Sequence, residues 1–196
     1  MLSTYADLMT QITGVELNVE GEEHLWSHRP AVFIFNHQSG IDTLLIMKLL
    51  RRDVIGVAKK EIRSNPIFGP LFSLGGVVFV DRMNRARAIE ALEPAVDALR
   101  RGLSLAIAPE GTRSPTPRLG AFKKGAFHIA MQAGVPIVPI VLRNALDALT
   151  KGAVVVRPAA VEAVILPPVP TEGWTVENLD DEIEAIRKDV LSVLSG

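Results

Sequence analysis

The 196-residue chain contains no cysteine. That absence removes disulfides, thiolate metal sites and cysteine nucleophiles together, and nothing about it demands an oxidising compartment. Net charge is almost absent as well. Twenty-one basic side chains against 22 acidic ones leave a formal charge of -1, so no global field draws the chain onto nucleic acid. No apolar run approaches the roughly 18 residues of a membrane span. The nearest candidate, Ser64 to Val80, is uncharged but is interrupted by Pro66, Pro70 and three glycines. The opening Met1-Leu2-Ser3-Thr4-Tyr5-Ala6-Asp7 has no basic start ahead of an apolar core and does not read as a signal peptide. Internal repeats, low-complexity tracts and an obvious second domain are also missing.

What is present is ordinary in amount: 48% hydrophobic and 22% charged residues, in the range of globular proteins. The mean hydropathy of +0.26 is high for a soluble domain, so either the core is large or some apolar surface is meant to be covered. The length suits a single domain over residues 1–196. Leu2, Tyr5, Leu8, Met9 and Ile12 recur at helical spacing, giving a short amphipathic helix over residues 1–14 that serves as a lid on the core or as a membrane contact. Val15, Leu17 and Val19 then alternate as a half-buried strand. Strands follow at Ala31–Phe35, Val54–Ala58, Val77–Val80, Leu103–Ala108, Ile137–Leu142 and Val161–Leu166. Helices are predicted over Thr43–Leu50, Pro66–Ser73, Arg85–Arg101, Ala121–Ala133 and Val176–Leu194. Strands alternating with helices imply an α/β fold, a single domain with a largely parallel mixed sheet covered by helices on both faces. Right-handed crossovers place the strand C-terminal ends on one edge, where ligands usually bind.

That edge is where the chemically informative residues fall. The strand Ala31–Phe35 runs into Asn36-His37-Gln38-Ser39-Gly40-Ile41-Asp42. Five residues apart on one helix, His37 and Asp42 point about 140° away from each other. A strand-to-helix corner folds the carboxylate back onto the imidazole, so that Asp42 fixes the tautomer and His37 faces substrate as a general base. The bland alternative is a helix-capping Asp42 beside a surface His37. Ser39 suits a turn or capping role better than a nucleophile, because no nucleophile elbow surrounds it. Pro109-Glu110-Gly111-Thr112-Arg113-Ser114 follows the next buried strand but two. Arg113 suits bidentate recognition of phosphate, and Glu110 either orients that arginine or binds a substrate hydroxyl. Asp81-Arg82 closes the strand Val77–Val80: Arg82 is a second candidate phosphate ligand, and Asp81 holds it or caps the next helix. Lys59-Lys60-Glu61 follows another strand. Lys123-Lys124-Gly125 opens a helix, where amide donors and lysines together favour an anion.

These segments resemble the glycerophospholipid acyltransferase superfamily, and within it the 1-acyl-sn-glycerol-3-phosphate (lysophosphatidic acid) acyltransferases. Four blocks occur in order: Asn36–Asp42, Gly76–Arg82, Pro109–Ser114, and the apolar Val135-Pro136-Ile137-Val138-Pro139. Lys59-Lys60-Glu61 and Phe122-Lys123-Lys124-Gly125 match the linking segments, and the resemblance spans roughly Val15 to Leu166. Ordered blocks are far more specific than any one of them. Two departures stand out: Ala108 where an aromatic residue usually precedes Pro109, and Gly40-Ile41 in the variable pair of the first block. The chain also resembles acyltransferase domains that some bacterial proteins fuse to a phosphatase domain.

The resemblance implies transfer of a fatty acyl group from acyl-CoA or an acyl carrier protein to the 2-hydroxyl of 1-acylglycerol 3-phosphate, giving phosphatidic acid. It implies His37 and Asp42 as the catalytic pair. The acceptor phosphate is expected among Arg82, Glu110, Gly111, Thr112, Arg113 and Lys60, and backbone amides near the first block are expected to stabilise the oxyanion. Neither a metal nor a cofactor is expected beyond the acyl thioester co-substrate, and no acyl-enzyme is required. The expected partners are the lysophospholipid acceptor, the acyl donor and the cytoplasmic, inner face of the cell membrane in peripheral contact, with Pro66–Leu74 as a wall for the acyl chain. The competing readings are a hydrolase that uses the same pair on water, and a non-catalytic lipid-binding module.

Overall fold

The protein is described here from a computed structural model, which describes residues 2–64, 73, 77–80, 93–114, 116–150, 153 and 155–195. The strands are β1 (Val15–Glu20), β2 (Val32–Phe35), β3 (Val54–Lys59), β4 (Val78–Val80), β5 (Ser104–Ile107), β6 (Ile137–Arg143) and β7 (Ala159–Ile165). The helices are α1 (Leu2–Thr13), α2 (Asp42–Leu50), α3 (Glu93–Arg100), α4 (Gly125–Ala133), α5 (Ala145–Ala148) and α6 (Leu179–Ser195). The predicted helix Pro66–Ser73 and the first part of the one over Arg85–Arg101 fall almost wholly outside the described residues.

The seven strands form one sheet in the order β1-β7-β6-β2-β5-β3-β4. The five strands from β6 to β4 pair in parallel. β7 runs antiparallel to β6 and parallel to β1, so the sheet is mixed and largely parallel. β2 lies at its centre, with no polar residue in Val32-Phe33-Ile34-Phe35. Successive side chains of a strand point to opposite faces, so such a strand suits a sheet covered on both sides. Val32 and Ile34 pack with α3, α4 and α6 on one face, through Val96, Leu99, Phe127, Ile129, Ile183 and Ile186. Phe33 and Phe35 pack with α2 on the other, through Ile46, Leu49 and Leu50. Each fully buried Leu, Ile or Phe contributes about 1.5–3 kcal/mol.

Two helices start later than their apolar periodicity suggests. α4 begins at Gly125, and the Lys123 amide ahead of it donates to the Pro109 carbonyl at 2.9 Å, holding that backbone against the loop after β5. α6 begins at Leu179 because Asn178 accepts the Thr175 amide at 2.7 Å through its side chain and offers its own carbonyl to Asp181 and Glu182.

The connections decide where a ligand can lie. From β2 the chain crosses through α2 over one face to β3; from β5 it crosses through α4 over the other face to β6. Adjacent strands whose exits turn to opposite faces leave a crevice between them. The crevice lies at the C-terminal ends of β2 and β5.

Candidate active site

Strand register brings the two principal motifs together. Ile34 of β2 is paired with Ile107 of β5. Three residues further along each strand stand His37 and Glu110, now level with one another. The His37 amide donates to Glu110 Oε1 at 2.8 Å, and the His37 carbonyl accepts the Ser114 amide at 2.8 Å. The loop after β5 thus holds the His37 peptide from both sides. On the opposite side of β2, the Asn36 side chain donates to the Leu142 carbonyl at 2.8 Å and accepts the Leu142 amide at 2.7 Å. It continues the β2–β6 pairing after the strand has ended.

The corner between β2 and α2 folds Asp42 back onto His37. His37 Nδ1 lies 2.9 Å from Asp42 Oδ2. The same oxygen accepts the amides of Gln38 at 2.7 Å and Ser39 at 2.8 Å. Asp42 is the first residue of α2 and wholly buried. A buried carboxylate at that position gains from the partial positive charge of a helix N-terminus. Its Oδ1 has no hydrogen-bond partner among the described residues, so the whole donor set converges on the oxygen that touches the imidazole. Nδ1 is engaged by Asp42, which leaves Nε2 as the other ring nitrogen, and 21% of the His37 side chain is exposed. Phe35 sets its edge against the ring at a centroid distance of 6.0 Å. The Gln38 and Ser39 amides, spent on Asp42, are not available to an oxyanion.

Two further contacts stiffen the corner. Ser39 is fully buried. Its hydroxyl donates to the Leu149 carbonyl at 2.6 Å and accepts the Ile41 amide at 3.3 Å, which ties the corner to the segment after α5. Gln38 donates through Nε2 to the Pro117 carbonyl at 2.9 Å. Five of the eight buried polar residues among those described, Asn36, Gln38, Ser39, Asp42 and Glu110, belong to these two motifs. Burying a polar group costs free energy unless it is hydrogen-bonded, so this concentration marks a preorganised site rather than ordinary core.

Glu110 behaves differently from the role expected from sequence. Its carboxylate is buried, with Oε1 on the His37 amide and Oε2 accepting the Gly120 amide at 2.8 Å. Arg113 takes no part in that arrangement. The carboxylate is therefore spent on the His37 and Gly120 amides rather than facing solvent or orienting the arginine. Arg113 is exposed and crosses Gly40: a Cβ on Gly40 would stand 3.1 Å from Arg113 Nη1 and 2.8 Å from Leu149 Cδ2. The departure at Gly40 is thus the notch in which the guanidinium lies. Gly111 and Thr112 form the turn between Glu110 and Arg113, with Gly111 at φ 73°. Lys60 is exposed in the 3-10 turn Lys60–Ser64, on the same sheet edge. Asp81 and Arg82 lie outside the described residues, beyond the end of β4. The signal for Glu110's role was present as strand register, which periodicity cannot supply; Gly120 and Leu149, as partners of the site, left no mark in the sequence.

Among the described residues, no group of three or more His, Asp or Glu side chains is placed to hold a metal ion, and no helix is long and apolar enough to cross a membrane.

A family model described as Acyltransferase matches residues 16–143, which includes both motifs. Curated relatives include the 1-acyl-sn-glycerol-3-phosphate acyltransferases of Limnanthes douglasii and Cocos nucifera. Each is 40% identical over 92% of this chain, and the match spans 64% and 58% of the relatives' own lengths. The human 1-acyl-sn-glycerol-3-phosphate acyltransferase alpha is 35% identical over 92% of this chain and 64% of its own. The chain therefore spans a little under two thirds of the length of these relatives. A crystal structure of the 1-acyl-sn-glycerophosphate (LPA) acyltransferase PlsC from Thermotoga maritima superposes with a TM-score of 0.82. That match covers 98% of this chain and 78% of the other at 28% identity. The family match across both motifs, on a fold shared almost end to end, shows that the chain belongs to the acyltransferase family.

Proposed function

We propose that this protein transfers a fatty acyl group from a thioester, acyl-CoA or acyl carrier protein, to the 2-hydroxyl of 1-acylglycerol 3-phosphate, giving phosphatidic acid. The observation that carries the proposal is the His37–Asp42 contact of 2.9 Å at the sheet crevice, with the second imidazole nitrogen left for substrate. His37 Nε2 removes the hydroxyl proton as the oxygen attacks the thioester carbonyl. The imidazolium so formed is stabilised by Asp42, and its proton passes to the departing thiolate. Arg113, exposed beside Gly40 at the same corner, binds the acceptor phosphate together with Lys60 and Arg82. Fixing that phosphate positions the hydroxyl at His37, and such positioning can lower a barrier by several kcal/mol. Glu110 contributes by holding the His37 peptide, and Gly111 and Thr112 by shaping the turn that carries Arg113. The names of the relatives support this acceptor.

The helix α1 supports peripheral contact with the inner face of the cell membrane. It turns its small and polar residues inward: Ala6 and Thr10 are buried. Tyr5, Leu8 and Ile12 face outward at 39%, 53% and 70% exposure. An outward apolar stripe on a surface helix suits the headgroup boundary of a bilayer.

The test incubates the purified protein with palmitoyl-CoA and a panel of lysophospholipids plus glycerol 3-phosphate, with products identified by mass. Phosphatidic acid formed from 1-acylglycerol 3-phosphate, and lost in His37→Ala, is the expected result. Thioester cleavage that needs no alcohol acceptor would make the protein a hydrolase instead. Lipid binding without transfer would make it a binding module.

A further inference from the structure

Two adjacent lysines, Lys123 and Lys124, lead into α4, and the fold separates their roles. Lys124 Nζ is held by Asp180 of α6, with oxygens at 2.7 and 2.8 Å. Lys123 has no carboxylate within ion-pair distance among the described residues, and neither has Arg113. Lys123 does not point away from the crevice. Its amide donates to the Pro109 carbonyl at 2.9 Å, which fixes its backbone against the loop after β5. Its side chain then lies across Gly111. A Cβ there would stand 2.8 Å from Nζ, 3.0 Å from Cε and 3.1 Å from Cδ. The glycine at φ 73° thus does two things: it makes the turn, and it leaves the bed on which the lysine rests.

The ammonium is thereby brought to within two residues of Arg113 along the same loop. The nearest motif carboxylate, Glu110, is buried and occupied by two amides. Two cations held against one loop, neither with a carboxylate partner among the described residues, favour a bound anion. The Thr112 and Arg113 amides of that loop have no hydrogen-bond partner among the described residues. An ammonium laid on this loop, with the guanidinium and the two unengaged amides of the loop itself, is a donor set suited to phosphate.

We propose that Lys123, laid across Gly111, binds a phosphate group of a reactant together with Arg113; this rests on the acyl-transfer reading above. Two reactants carry such a group: the phosphomonoester of the acceptor and the nucleotide end of acyl-CoA. Lys123→Met keeps the aliphatic stem over Gly111 and removes only the charge. Lys188→Met, on the exposed face of α6, removes a charge elsewhere and serves as the control for long-range electrostatics.

Initial rates are measured for both variants with 1-acylglycerol 3-phosphate as acceptor, and with palmitoyl-CoA and the phosphate-free thioester palmitoyl-N-acetylcysteamine as donors. Lys123→Met is expected to raise KM about tenfold for one phosphorylated reactant while kcat stays within about twofold. A rise for the acceptor with either donor assigns the acceptor phosphate. A rise for palmitoyl-CoA that vanishes with the phosphate-free donor assigns the donor. Unchanged KM for both reactants, or equal changes in Lys188→Met, overturns the proposal. If the wild-type protein transfers no acyl group, the function proposed above fails. Lys123 is then judged by thermal stabilisation with inorganic phosphate, and a shift retained in Lys123→Met overturns its role.

Discussion

Asp42→Asn separates the catalytic work proposed for the carboxylate from its structural work, because both fall on one oxygen. Asp42 Oδ2 accepts two backbone amides as well as the His37 ring. An asparagine that presents its carbonyl oxygen at the same point keeps all three donors and loses only the charge. The change in folding free energy is then confined to the weakening of charge-assisted to neutral hydrogen bonds, about 1–2 kcal/mol in total. The change in the barrier is larger. In the proposed transfer the imidazole becomes cationic, and in the variant it faces a neutral amide where the carboxylate stood. At the roughly 4 Å between charge centres that a 2.9 Å nitrogen–oxygen contact implies, and an effective dielectric near 20, the lost attraction is about 4 kcal/mol. At 1.4 kcal/mol per decade that corresponds to about a thousandfold in kcat. The assay pairs steady-state transfer to 1-acylglycerol 3-phosphate with thermal unfolding of the same preparation. A kcat above a tenth of wild type would refute the role given to the pair. A proportionate collapse of Tm would show that the carboxylate acts mainly by holding the corner.

Glu110→Gln keeps one acceptor but turns an amide NH2 toward the amide of His37 or Gly120; about 2–4 kcal/mol of stability and at least tenfold in kcat should be lost, with both KM values within about twofold. A large rise in acceptor KM at unchanged kcat would instead return Glu110 to the substrate-binding role expected from the sequence. Leu8→Ser combined with Ile12→Ser removes two side chains that are 53% and 70% exposed, so stability should hold while co-sedimentation with anionic phospholipid vesicles falls at least tenfold; undiminished sedimentation would place the membrane contact elsewhere. Asp7 is held below the usual carboxylate range mainly by its hydrogen bond to Lys48, 2.9 Å away, which links α1 to α2. A carboxylate depressed in the folded state contributes stability that is full above its unfolded pKa, near 3.9, and is lost as pH falls through the folded value. The stability difference between wild type and Asp7→Asn in urea titrations should therefore be flat from pH 8 to about 5 and shrink below about pH 4, and it should stay within about 1 kcal/mol because the pair is partly exposed. A difference that grows on acidification would contradict that sign.

The sequence by itself determined the parts of this protein that depend on neighbours along the chain. Short apolar strands, the helices between them and the delivery of polar motifs to strand ends follow from local periodicity and the handedness of crossovers. His37 and Asp42 were legible as a pair for the same reason, since only five residues and one corner separate them. Whatever depends on which strand lies beside which was settled by the tertiary structure. Glu110 stands level with His37 because β2 and β5 are paired with Ile34 opposite Ile107, a fact held in long-range packing on both faces of the sheet. That pairing changed a carboxylate expected to touch substrate into a clamp on the His37 peptide. The same holds for the two lysines, identical in sequence signal, of which one finds Asp180 on a distant helix and the other a glycine bed beside Arg113. The apolar spacing of α1 left the orientation of the helix open; packing turned Ala6 and Thr10 inward and Leu8 and Ile12 outward. Residue types fix what chemistry is available, but distances between segments remote in sequence fix which groups meet, and those distances exist only once the whole core has closed.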